Sequence, residues 1–169
     1  MSQDQNFNRE LRQACTGNAP EEVKRLLNER PGALEVMTPF GTWLHVAAEA
    51  GAFDVVRLLL GLGLDPNIRG GTFHANALHE AARGGHLEVM GVLLEAGAFL
   101  DTSEPERNPL FGAIYSGHLE AVKWLVENGI DRNVAYTGKS MKNMDALAFA
   151  RERGKSDIAS YLEGAGNAA

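Results

Sequence analysis

The sequence predicts an all-α solenoid of about five stacked helix-turn-helix repeats with degenerate terminal caps. Three observations carry that expectation. One segment appears three times, marker leucines in and beside its copies are spaced by 32 to 37 residues along the chain, and residues that start and stop helices fall in the same register in each copy.

Residues 41–51 are echoed at 76–86 and again at 108–118. Each copy is followed by an apolar run, at 55–60, 89–94 and 121–126, soon closed by Gly61, Gly97 and Gly129. Each unit therefore holds two short helices. Leu11 to Leu44 is 33 residues, Leu44 to Leu78 is 34, Leu78 to Leu110 is 32 and Leu110 to Leu147 is 37. This register divides a single domain, 1–169, into repeats at about 7–38, 39–72, 73–104, 105–140 and 141–164.

Thr42, Asn76, Asn108 and Asp145 stand where a side-chain oxygen can accept from the free N–H groups of a helix start. Gly51, Gly85, Gly117 and Gly154 stand at the helix ends, where a positive φ costs glycine little. Terminal repeats must turn one face to water, and the polar residues fit that demand: Arg12, Gln13, Lys24, Arg25 and Asn28 at one end, Arg151, Glu152, Arg153 and Lys155 at the other.

The period and the repeated segment resemble the ankyrin-repeat family. Its motif Thr-Pro-Leu-His-x-Ala is matched by Thr42, Leu44, His45 and Ala47, then by Leu78, His79 and Ala81, then by Pro109, Leu110 and Ala113. Trp43, Ala77 and Ala146 replace the motif Pro, Phe111 and Ala148 replace its His, and residues 136–143 lengthen the last linker. The resemblance covers roughly residues 7–164, with the first and last units degenerate.

The chain has 169 residues, 44% of them hydrophobic, and a formal net charge of -6. That balance argues against a sequence-independent grip on nucleic acid, which needs many Lys and Arg to displace counterions from phosphates. A protein partner with a basic surface is the natural match. The polar start after Met1 and the lack of a long apolar run lead us to expect a cytoplasmic protein without membrane contact, monomeric when unbound. Cys15 is the only cysteine and reads as a buried helical thiol.

Catalytic patterns are incomplete. His79-Glu80 begins a zinc-protease motif, but Arg83 stands where the second histidine belongs. Gly138-Lys139-Ser140 ends like a phosphate loop, yet Asn133 occupies the slot of its first glycine. Gly61-Leu62-Gly63 meets Pro66 in place of the last glycine of a dinucleotide fingerprint, and it follows a helix instead of a strand. No Gly-x-Ser-x-Gly elbow is present. We expect neither enzyme activity nor a cofactor or metal. His45, His79, His86 and His118 fall on repeat slots and are expected to bond neighbouring backbone.

The resemblance implies a partner-binding surface on the concave side, built from the finger loops and the exposed face of each first helix. Carried over by position, it selects Trp43, Glu49, Phe73, His74, Glu80, Arg83, Glu106, Arg107, Tyr115 and Tyr136. Trp43, Phe73, Tyr115 and Tyr136 lead as aromatic anchors; for Trp43 and Phe73 the alternative is that they cover gaps between fingers. Glu80 is either exposed or meets a basic group of the partner. Trp124 and Phe53 are expected in the core.

Residues 108–114, 129–131, Tyr136 and residues 145–150 further resemble the bacterial toxin-immunity ankyrins. That likeness implies an inhibitor that occludes a basic toxin or effector, with Glu49, Glu80, Glu104 and Glu106 facing an anion-holding cleft. The alternative is a general adaptor, and a more remote one is an enzyme subunit.

Overall fold

The computed structural model describes residues 3–139 and 141–165, and Ser140 and both ends of the expected 1–169 domain lie outside them. Among the described residues ten α-helices form five pairs: α1 (Gln3–Thr16) with α2 (Pro20–Glu29), α3 (Trp43–Glu49) with α4 (Phe53–Gly61), α5 (Ala77–Gly84) with α6 (Leu87–Glu95), α7 (Pro109–Ser116) with α8 (Leu119–Glu127), and α9 (Ala146–Glu152) with α10 (Ser156–Ala165). A short 3-10 turn, Pro31–Ala33, follows the first pair.

Turns of two or three residues join the helices of each pair. Gly85 and Gly117 end α5 and α7 at φ 74° and 84°, a left-handed geometry that glycine adopts without a Cβ clash. The helix starts behave as their residue types require: Asn76, Asn108 and Asp145 accept through their side chains from His79 N, Leu110 N and Ala148 N.

The first helices stack on one another in the order α1, α3, α5, α7, α9, and the second helices form the neighbouring layer α2, α4, α6, α8, α10. One continuous apolar core runs between the layers, with Leu11, Leu26, Leu44, Leu59, Leu78, Leu93, Leu110 and Leu125 fully buried in it. The repeated leucines are thus the repeated core contact, and the 32-to-37-residue spacing is the stacking period. Phe53 and Trp124, expected inside, are only half-buried: they pack against the core from the outer layer. Burial pushes the Cys15 thiol up to about 12, which keeps it protonated and unreactive.

Long linkers connect the pairs as fingers. Backbone bridges close three of them, at Thr38 and Gly41, Gly70 and Ala75, and Tyr136 and Met144. The finger of residues 96–107 has no such bridge among the described residues. It is two residues shorter than the finger of residues 62–75, which is the shortfall seen in the Leu78-to-Leu110 spacing. A turn replaces the hairpin: Glu104 O accepts from Arg107 N and from Asn108 N, both at 3.1 Å.

Candidate partner-binding site

His45 and His79 occupy the same repeat slot, yet their surroundings differ. His45 Nδ1 accepts from Thr42 N at 3.2 Å and lies 2.8 Å from Thr42 Oγ1. With that nitrogen accepting, Nε2 carries the proton and donates to Ala75 O at 3.0 Å. Ala75 O sits there because the Gly70–Ala75 hairpin puts it there, and it accepts from Gly70 N as well. Burial holds His45 below the ordinary histidine range, so it is the neutral form that ties two repeats together.

His79 lacks this arrangement. The shorter finger brings no carbonyl to its ring, and Asn76 directs its amide to Phe99 O at 2.9 Å. His79 Nδ1 is buried without a hydrogen-bond partner among the described residues, 3.8 Å from Glu80 Oε1. The expectation that the repeat-slot histidines bond neighbouring backbone therefore holds for His45 and for His86, whose Nε2 lies 2.9 Å from Glu49 O, and is corrected for the His79 ring.

The ring of His79 instead lines a pocket of about 360 Å³ where the finger of residues 96–107 meets α5, α7 and α9. Phe73, Phe111, Tyr115 and Phe149 supply its aromatic wall, Met141 closes one side, and Arg83, Glu106 and Arg153 stand among its polar lining. Gly112 makes the room: a Cβ there would lie 2.9 Å from His79 Nε2. Phe111 stacks on Phe149 with ring centroids 4.6 Å apart, and Tyr136 meets Phe111 edge-on at 5.1 Å. A larger cavity of about 560 Å³ lies between α9 and α10, where Arg151 pairs with Glu163. It has no aromatic wall, and Arg132 and Asn133 of the linker before α9 complete its lining.

The residues selected from the sequence divide into three groups. Phe73, Arg83, Glu106 and Tyr115 converge on the pocket, and Tyr115 is 58% exposed. Glu49 is exposed one repeat away but paired with Arg83, and His74 is exposed at the tip of the Gly70–Ala75 hairpin with φ 48°. The others are engaged within the fold. Trp43 is corrected outright: it is 1% exposed and its Nε1 donates to Ala33 O at 2.7 Å, so it fastens the first finger and offers no surface.

Glu80 is also corrected. It is 5% exposed, and the basic group it meets is Arg83 of its own helix, whose Nε donates to Glu80 Oε2 at 3.0 Å. Burial alone would raise the Glu80 carboxyl, but His79 and the Arg83 guanidinium outweigh it and hold the carboxyl below the usual range. Tyr136 is half-buried and serves as a strut: its hydroxyl donates to Thr102 O at 2.8 Å and accepts from Asn108 Nδ2 at 2.9 Å. Burial raises its phenol accordingly. Arg107 is half-buried and pairs with Glu104 at 2.6 Å.

Position in the repeat missed Phe111, Gly112, Met141, Phe149 and the buried ring of His79. Two signals in the sequence point to them: the short Leu78-to-Leu110 spacing, and Gly112 in the slot held by Val46 and Glu80 in the sister repeats.

This architecture defines a helical-repeat protein-interaction module, and no helix among the described residues is long and apolar enough to cross a membrane. The family model for ankyrin repeats in three copies matches residues 70–136, and the one for ankyrin repeats in many copies matches residues 44–94. The chain belongs to the ankyrin-repeat family.

It is 30% identical to the E3 ubiquitin-protein ligase KEG of Arabidopsis thaliana over 124 residues, 69% of this chain and 7% of that protein. It is 32% identical to the ankyrin repeat and KH domain-containing protein mask-1 of Caenorhabditis elegans, covering 92% of this chain and 7% of that one. It is also 32% identical to the human BCL-6 corepressor-like protein 1, covering 86% of this chain and 8% of the relative. The chain thus spans less than a tenth of the length of these three relatives.

Proposed function

We propose that the chain is an adaptor that holds one segment of a protein partner on the face bounded by the fingers and the first-helix layer. The observation that carries this reading is the aromatic pocket under the short finger, flanked by the exposed ring of Tyr115. Aromatic side chains around a recess are the usual anchors of protein interfaces. The recess lies at the small end of ligand pockets, which run from about 300 Å³ upward, and suits a side chain or two of a bound segment.

The narrower expectation, an inhibitor that meets a basic toxin with four carboxylates, loses its electrostatic support. Arg83 pairs with both Glu49 and Glu80, and Arg107 pairs with Glu104. Of the four, only Glu106 has no ion-pair partner among the described residues.

Affinity capture from a native lysate tests the reading. A variant carrying Phe73→Ala, Tyr115→Ala and Arg153→Glu should lose a partner that both the wild type and an outer-layer variant, Arg57→Glu, retain. Equal recovery by all three proteins, with helicity unchanged, would place the interface elsewhere.

A further inference from the structure

Resting on the adaptor reading, the geometry points to the kind of segment the pocket takes: we infer a partner segment in which an apolar side chain enters the pocket and a neighbouring Asp or Glu pairs with Arg153. The apolar part follows from the wall of Phe73, Phe111, Phe149 and Met141 and from the room left by Gly112.

The acidic part follows from how the charges are arranged. The Arg153 guanidinium lies 5.0 Å from the Phe149 ring centroid and 5.3 Å from that of Tyr115, and Arg83 lies 5.8 Å from that of Phe73. One face each of Phe73, Tyr115 and Phe149 is therefore already occupied by an arginine of the chain itself, which disfavours a partner's cation there. The two arginines differ in one respect. Arg83 is neutralised by Glu80 and Glu49, whereas Arg153 has no carboxylate partner among the described residues. Arg153 is therefore the cation at this pocket still open to a carboxylate, and its planar fork suits two parallel hydrogen bonds to one. Glu106 belongs to the finger, so a segment laid across the pocket is oriented with its acid toward α9 and away from Glu106.

A random peptide library displayed with both peptide ends fused, and selected on the full chain, tests this. Enriched peptides should share an apolar residue beside Asp or Glu. Binding of a representative peptide should fall at least tenfold for Arg153→Glu and for Gly112→Ala, while Arg57→Glu binds as the wild type. Exchanging the acid of that peptide for Lys should restore binding to Arg153→Glu.

Gly112→Ala moves only the far edge of the His79 ring and suits a helix better than glycine does, so loss of binding there does not report unfolding. Enriched peptides that ignore Arg153→Glu and Gly112→Ala but are lost with Tyr115→Ala would overturn this inference and leave the adaptor reading standing. A selection that enriches no peptide dependent on the finger face would count against both.

Discussion

The second and third repeats carry the same motif histidine and use it differently. In the second, a hairpin finger delivers Ala75 O to His45, and the ring becomes a bolt between repeats. In the third, a finger two residues shorter delivers nothing, and His79 forms the wall of a pocket. A motif residue thus ties two repeats together or lines a pocket according to the linker that follows it. In this chain the third repeat, where the finger does not bond the motif ring, opens an aromatic pocket against α7 and α9.

The sharpest way to break this comparison is through Arg83, which supports Glu80 beside His79. Replacing it with Met leaves a buried carboxylate with only the His79 ring beside it, a change expected to cost about 3 kcal/mol. Urea unfolding measures it, and adding Glu80→Gln should recover much of the loss. A cost under about 1 kcal/mol for Arg83→Met alone would mean that the third repeat does not depend on that pair.

The two histidines themselves come next. His45→Ala removes the bonds to Thr42 and Ala75 as well as the packing of its ring, whereas His79→Ala removes the packing of a buried ring with an unpaired nitrogen, so His45→Ala should cost about 1 kcal/mol more. Equal losses in paired denaturation curves would contradict the distinction between bolt and wall.

A smaller effect is expected with pH. Because the folded state depresses the affinity of His45 for its proton, the unfolded chain binds more protons just below the ordinary histidine range. The contribution of His45 is complete above a pH of about 6.5 and is lost as pH falls from there toward its folded value, at a slope no steeper than about 1.4 kcal/mol per pH unit. His45→Ala should flatten the stability curve in that window, and His79→Ala serves as the comparison. The smallest effect belongs to Gly112→Ala, where better helix propensity should offset the displaced ring and leave stability within about 1 kcal/mol of the wild type.

Much of the fold was legible because stacking repeats its demands: the leucines, the cap residues Asn76, Asn108 and Asp145, and the glycines after α5 and α7 all recur with the period. The site was less legible because it arises from exceptions to that period. Tyr115 and Phe73 are found by slot, but the burial of Trp43 depends on the Ala33 carbonyl of the preceding linker, and the fate of Glu80 depends on the side chain one turn later. The spacing of 32 residues was visible in the sequence, but its consequence for His79 requires knowing that Ala75 O is what the longer finger supplies.

The most direct test of the distinction between the two repeats is the exchange of the imidazole N–H protons, followed by nitrogen-edited NMR on the full chain. The account predicts that His45 is held in the Nε2-protonated form with its proton protected from exchange, while the ring proton of His79 exchanges rapidly. Equal protection of both rings would contradict it, since His79 would then have a partner that closes the third repeat as Ala75 closes the second.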